Sequence, residues 1–540
     1  MKSFQNFCKQ YVFWIVGLFC IFAIILHSIH IQFPYFNSDE ASFAYNGYSI
    51  AQTGKDEYGS FMPSRFKAFG ENKLPVTIYT IAAFVKIFGL SELTARLPFI
   101  IIGVISPILF YILSKRLFNN IVIALISAFT ASISPWIQII SRHIHEDLII
   151  MLLTIIAVIY LINLLNKFKW QYIIALSLLS GIGLFTYHIG KVLTVYFFFV
   201  LLIILAYQKK SWQICLKSII IFLIPVIIFG FTELQNPTTR VSNLLFINDP
   251  GFTASIEELR KEHDERIIHN KLTQSIIVLT QKYLSYFSPE FLVINGDENP
   301  RFGFKGISPI TPITYILVLT GIYFLFKNNE KYRFFIISLL LIAPITASLS
   351  WQEYSLTRSF LLIIPILTLE SYGVYHVITK IKWHYIAVFT SIGLLGSYLF
   401  FTFYSWDFYY NHYLKKRDTI YAWQGGYKEL NTYIKQNYDS TKQFYITKKL
   451  GQPYIFTLFY LQFPPHEYQK QAQLTELDEY GFGQVEQFDK FTFSFKPPTD
   501  ERNIVYMGYP EDFQGSNINK NQIKKITIHN EEIFWIYNIK

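Results

Sequence analysis

Two acids, Asp39 and Glu40, stand side by side in FNSDEASFAY, directly after an apolar run long enough to cross a bilayer. A carboxylate at such a boundary can take the proton of an attacking hydroxyl, and a neighbouring Lys or Arg can stabilise a phosphate leaving group. A second acidic group, SRHIHEDL, sets Arg142, Glu146 and Asp147 against the start of another apolar run. Acids at lipid boundaries are costly unless they are used. Lys73 and Arg96 complete the set of basic residues that could face the same chemistry, which is group transfer at a membrane surface. Each candidate also has an ordinary explanation. NSDE supplies helix-capping side chains and suits a helix N-terminus, and a Lys or Arg at the end of a span commonly snorkels to the headgroups.

His143, His145, Glu146 and Asp147 also raise the question of a metal. Histidines at i and i+2 do not share a helix face, and no HExxH is present, so a dedicated zinc site is disfavoured. A divalent cation bridging carboxylates and a phosphate is compatible with the layout. His188 in TYHIGK fits a hydrogen-bonded residue at a membrane edge better than a catalyst. Cys8, Cys20 and Cys215 all lie in or beside apolar segments and outline no disulfide framework or CxxC site.

The elements that must position these residues are membrane helices. The 540 residues are 52% hydrophobic, 18% aromatic and only 16% charged, with a mean hydropathy of +0.30. That is too apolar for a soluble multidomain protein. The net charge of +10 rests on short Lys/Arg clusters between apolar runs rather than on one basic face, which argues topology and excludes nucleic-acid binding. The opening MKSFQNFCKQ and the apolar run after it read as an uncleaved first span, since no small-residue cleavage site follows.

Further apolar runs lie at 75–89, 97–114, 120–138, 148–166, 171–188, 190–207, 217–232, 307–326, 334–349, 358–379 and 384–405. The run 75–89 is short, begins with Pro75 and carries Lys86. If it lies at the interface instead of crossing, then Lys115/Arg116, Lys167/Lys169, Lys209/Lys210, Lys327/Lys331/Arg333 and Lys380/Lys382 all share the side of Lys2 and Lys9. That is the positive-inside pattern. The expectation is an all-α polytopic membrane protein of eleven transmembrane helices in the plasma (inner) membrane, N-terminus cytoplasmic and C-terminus extracytoplasmic. The external loops are then 32–96 and 233–306, and residues 1–405 form the membrane domain.

In the loop 233–306, SIEELRKEHDERIIHNKLTQSII reads as a solvated helix of mixed charge and SPEFLVINGDENPRFGFKG as a Gly/Pro-punctuated loop. The tail 406–540 changes character. QGGYKELNTYIKQNY looks helical, while QFYITKK, KFTFSF, RNIVYMGY, KKITIH and EIFWIYNI look like strands, giving a small extracytoplasmic α/β domain.

NSDEASFAYNGYSIAQTGKDEYG, ENKLPVTIY, ARLP, SPWIQIISRHIHEDL, FSPEFLVINGDENPR and WQGGYKEL together resemble the family 39 glycosyltransferases of the GT-C class. This group includes protein O-mannosyltransferases, the lipid A aminoarabinose transferase and bacterial phospholipid carrier-dependent glycosyltransferases. The resemblance implies that Asp39 is the base for the acceptor hydroxyl with Glu40 beside it. It further implies that Lys73 holds the carrier-lipid phosphate and that Asp147 or Glu146 is the acid of the second external loop; the predicted topology puts Arg96 and Arg142 on the same face as donor-phosphate candidates. The family lysine is often followed directly by proline, whereas Leu74 intervenes here.

The expected activity is inverting transfer of a hexosyl or pentosyl group from a polyprenyl-phosphate donor to a hydroxyl of a cell-envelope lipid, glycan or protein. The rival reading is a non-catalytic transporter or lipid- or glycan-binding membrane protein. It calls for charged or interrupted spans near the midplane and inverted repeats, and the acids here cluster at span ends.

Overall fold

The structure, a computed structural model, describes every residue except 1, 70, 236–244, 263–264, 298, 304–307, 450, 477–484, 497, 499–500, 517 and 539–540. Its first half is helical: α1 (Lys2–Ser28), α2 (Ser38–Thr53), α3 (Pro75–Phe88), α4 (Glu92–Phe118), α5 (Ile121–Ile133), α6 (Pro135–Ile140), α7 (Glu146–Asn166), α8 (Trp170–Leu184), α9 (Ile189–Tyr207) and α10 (Trp212–Gln235). Then come α11 (Pro250–Glu262), α12 (Lys271–Ser285), α13 (Pro312–Lys327), α14 (Arg333–Ile342), α15 (Ile345–Ser348), α16 (Ile363–Lys380) and α17 (His384–Asp407). Among the described residues seven helices are long and apolar enough to cross a membrane, and five apolar helices are shorter.

A helix stands at each of the eleven runs expected to span, with two corrections. Ser134–Pro135 breaks the run 120–138 into α5 and α6, because proline cannot continue the hydrogen-bond ladder, and Ser134 then caps α6. Ala343–Pro344 interrupts the run 334–349 in the same way. Local signals explain the other boundaries. The Asn120 side chain accepts the N–H groups of Val122 and Ile123 at 2.9 and 3.4 Å to open α5. Lys115 and Arg116 close α4, where cations suit the negative end of the helix dipole.

The chain divides into two compact units. The first comprises Met1–His30 and Phe99–Tyr409. Its most enclosed span is α16, packed against α5, α13, α14 and α17. α13 and α16 approach backbone to backbone. A Cβ added at Gly321 would stand 2.1 Å from the Leu369 carbonyl oxygen, and one at Gly373 would stand 2.1 Å from that of Leu317. Without a hydrophobic drive between helices in lipid, such small-residue contacts supply the dispersion that holds them together.

The second unit comprises Ile31–Pro98 and Tyr410–Lys540. Its tail segment adds α18 (Arg417–Ala422), α19 (Tyr427–Asn437), α20 (Pro453–Tyr460) and α21 (Pro465–Gln471). Seven strands form one sheet in the order β4-β5-β6-β3-β7-β9-β8. They are β3 (Gln443–Ile446), β4 (Gln473–Leu474), β5 (Val485–Phe488), β6 (Phe491–Thr492), β7 (Ile504–Gly508), β8 (Ile523–Ile528) and β9 (Glu531–Asn538). β3 runs parallel to β6 and β7, and the remaining pairs are antiparallel. Every expected tail strand and the expected helix are present; α20, α21, β4 and β5 were not anticipated.

Residues 31–98 fold onto this sheet domain. α2 packs on α3 and α20, the Tyr45 hydroxyl donates to the Phe463 carbonyl at 2.9 Å, and the Ser38 N–H donates to Gln424 Oε1 at 2.7 Å. A hairpin, β1 (Phe66–Ala68) with β2 (Glu71–Lys73), ends at the candidate lysine. Its three-residue strands are too short to show a sequence period.

Candidate active site

Asn37 makes a capping box with Glu40: its side chain accepts the Glu40 N–H at 3.1 Å, while Glu40 Oε2 lies 3.4 Å from the Asn37 N–H. The helical-cap explanation is therefore true of Glu40, and the helix start it fixes turns the two neighbouring acids about 100° apart. Glu40 points inward. Its carboxylate receives Arg96 Nε at 2.8 Å and Nη2 at 2.7 Å, and both side chains are buried. Arg96 further donates to the carbonyls of Pro34 at 2.9 Å and Tyr35 at 3.3 Å. This two-pronged pair satisfies both charges within the fold.

Asp39 points outward and is 46% exposed, while its partner Lys73 is only 8% exposed. Lys73 Nζ stands 3.4 Å from Asp39 Oδ1 and 3.3 Å from the Asp39 carbonyl. The ammonium also lies over the rings of Phe43 and Phe69, 4.2 and 5.3 Å from their centroids, which desolvates one side of the charge. A half-exposed carboxylate next to a sheltered cation is an arrangement able to accept a proton and to hold an anion within one contact.

Behind Lys73 lies Glu57, fully buried. Its N–H donates to Asn46 Oδ1 at 3.0 Å. Burial, and then the nearby Asp56, push its carboxyl up to about 8, with Asn46, Lys73 and Tyr454 opposing that rise. A carboxyl whose folded value lies above its ordinary 4.5 lends stability at acid pH, and that stability is lost as pH rises through about 8. Glu57→Gln should therefore flatten the pH dependence of thermal unfolding between pH 5 and 9. The wild-type protein should lose a few kcal/mol over that range, since each pH unit separating the folded from the ordinary value is worth about 1.4 kcal/mol. Equal slopes for the two proteins would remove Glu57 as the source.

The second acidic group belongs to the other unit, at the turn between α6 and α7. Arg142 donates to the carbonyls of Leu26 at 3.1 Å and His30 at 2.9 Å, and also to that of Ile29. It thus caps the C-terminal end of α1, where a cation is favoured. His145 caps α7, and its Nδ1 lies 3.0 Å from Asp147 Oδ2. Asp147 is buried whereas Glu146 is partly exposed. Arg358 and Tyr187 face this acid. Both the Asp147 carboxylate and the Arg358 guanidinium act on the Tyr187 hydroxyl.

The structure thus brings Asp39, Glu40, Lys73 and Arg96 together in one unit, and Arg142, Glu146 and Asp147 together in the other. His188 precedes α9. Among the described residues no three His, Cys, Asp or Glu side chains gather in a group able to hold a metal ion, and the three cysteines are free.

Residues 72–232 match the model of the dolichyl-phosphate-mannose-protein mannosyltransferase family. Across almost the entire length the structure matches ArnT from Cupriavidus metallidurans bound to undecaprenyl phosphate, with a TM-score of 0.52, 10% identity and 96% and 97% of the two chains covered. Its apo state matches at 0.52, 11% identity and 98% of each chain. The fold is that of the GT-C glycosyltransferases. The Archaeoglobus fulgidus oligosaccharyltransferase reaches a TM-score of 0.46 at 13% identity, over 83% of this chain and 61% of that one. No curated protein sequence matches.

The family-matched segment includes Lys73, Arg96, Arg142, Glu146 and Asp147, whereas Asp39 and Glu40 precede it. Sequence reasoning passed over Glu57, Tyr187 and Arg358 as site residues. Arg358 opens the apolar run 358–379, a boundary signal like the one at Arg142. Glu57 had no such signal, since nothing in GKDEYG tells that both acids of the pair are buried.

Proposed function

We propose that this chain is an inverting glycosyltransferase that moves a sugar from a polyprenyl-phosphate donor to a hydroxyl of a cell-envelope lipid, glycan or protein on the outer face of the membrane. The observation that supports it most is the half-exposed Asp39 carboxylate held 3.4 Å from the sheltered Lys73 ammonium on a GT-C fold. In this reading Asp39 takes the proton of the acceptor hydroxyl as its oxygen bonds to the anomeric carbon. The bond from that carbon to the phosphate oxygen breaks, and Lys73 turns from Asp39 toward the charge left on the polyprenyl phosphate. Attack opposite the departing phosphate inverts the anomeric centre. Glu40 and Arg96 shape the helix start that presents Asp39, and Arg142 holds the end of α1. Of the two second-loop acids we give the functional role to Asp147, which is buried with Arg358 and Tyr187 beside it. The basic clusters support a cytoplasmic N-terminus and an external tail.

Purified protein in liposomes with a radiolabelled undecaprenyl-phosphate sugar and envelope-lipid or peptide acceptors tests the proposal. Labelled product of inverted configuration is expected, and Lys73→Ala should lower kcat/KM for the donor by about 10²-fold with little change in acceptor KM. Donor movement across the bilayer without bond cleavage would favour the transporter reading instead. Unaltered donor dependence in Lys73→Ala would take this lysine out of the phosphate site.

A further inference from the structure

The segment expected to be one solvated helix is two helices dressed in opposite ways. α11 buries Phe252 and Ile256 and exposes Thr253, Ser255, Glu257, Glu258, Lys261 and Glu262, the pattern of a helix in water. α12 buries no residue fully. Val278 and Leu279 rest against the Phe246, Phe252 and Ile256 cluster, yet Leu272, Ile276 and Leu284 are 72%, 58% and 59% exposed, and Ile277 is exposed as well. The turn before it adds Ile267, 87% exposed, and Ile268.

This apolar face is anchored rather than loose. Lys282 donates to the carbonyls of Ser350, Trp351 and Gln352 at 2.9, 3.0 and 2.9 Å, and the Tyr283 hydroxyl donates to the Leu341 carbonyl at 2.7 Å. Leu341 ends α14, an apolar helix that exposes Leu341 itself and Phe334, and the exposed Trp351 lies at the carbonyls that Lys282 holds. Indole rings favour the headgroup level of a bilayer. The exposed stripe of α12 is therefore continuous with the apolar surface of the span bundle, at the end opposite Lys327 and Arg333. Arg266 and Lys271 flank its start, where cations meet lipid phosphates.

We infer that α12, with the turn at Ile267–Ile268, lies in the headgroup and upper acyl region of the bilayer and seats the long loop on the lipid surface. α11 faces water above it. The occupant of the apolar face is phospholipid, and neither a second copy nor a soluble partner is required to cover it.

Nitroxides placed one at a time by Leu272→Cys, Ile276→Cys and Glu258→Cys, in a chain with Cys8, Cys20 and Cys215 replaced by alanine, test this in nanodiscs of phosphatidylethanolamine and phosphatidylglycerol holding one copy each. Labels at 272 and 276 should collide at least several-fold more with oxygen than with a water-soluble nickel chelate, and the label at 258 should show the reverse preference. As a check that needs no substitution, diazirine phospholipids should photolabel residues 267–284 of the unmodified chain and spare 250–262. Labels at 272 and 276 as open to nickel as 258, or photolabelling that spares 267–284, would overturn the assignment. So would shielding of both labels from both reagents in single-copy discs, which would mean that protein covers the face.

Discussion

Asp39→Asn should abolish sugar transfer from a polyprenyl-phosphate donor while leaving a folded, membrane-inserted protein. Asparagine keeps the size of the side chain and an oxygen that can still accept from Lys73, but it cannot take a proton from the acceptor. Loss of a general base lowers kcat by about 10² to 10⁴-fold. Stability should barely change, because a pair with one half-exposed member is worth about 1 kcal/mol or less. Single-turnover transfer and thermal unfolding measured on the same preparation separate the two effects. Full transfer in Asp39→Asn would sink the base assignment. A parallel collapse of stability would mean that the carboxylate serves the fold.

Arg96→Leu should do the opposite: it should cost about 3 to 5 kcal/mol of stability by leaving the buried Glu40 carboxylate without its guanidinium. The carbonyls of Pro34 and Tyr35 lose their donor at the same time. In the molecules that remain folded, the donor KM should be unchanged. Adding Glu40→Leu should recover part of the loss, since removing both charges takes away the unpaired one. This outcome separates two roles for Arg96 that share a sequence position. A phosphate holder would raise the donor KM several-fold at an unchanged unfolding temperature, and that result would reverse the structural role.

How far the sequence could be read depended on the range of each interaction. The cap at Asn37–Glu40 spans three residues and was visible as NSDE, and the helices announced themselves through apolar runs closed by Lys and Arg. Prolines 135 and 344 broke two of those runs, a local signal that hydropathy alone overrode. The candidate residues were legible as types, but their division of labour was not. Arg96 meets Glu40 across 56 positions, and no spacing rule distinguishes that bond from a snorkelling side chain. The reversal of dress between α11 and α12 was hidden because both are amphipathic by pattern, and only the packed partners tell which face is left over. Glu57 was concealed for a related reason, since its neighbours Tyr454 and Tyr468 belong to the tail.

That dependence on the tail governs when the acidic site comes into being. Ser38 finds Gln424 across 386 positions and Tyr45 finds Phe463 across 418, so the helix that carries Asp39 is made well before the partners it packs on. Chains fold from the N-terminus as they emerge, unit by unit. Here the first loop is an exception, and a chain stopped anywhere in the span bundle carries Asp39 and Lys73 without the scaffold that aligns them. Assembly of residues 410–540 is thus a precondition for aligning Asp39 with Lys73.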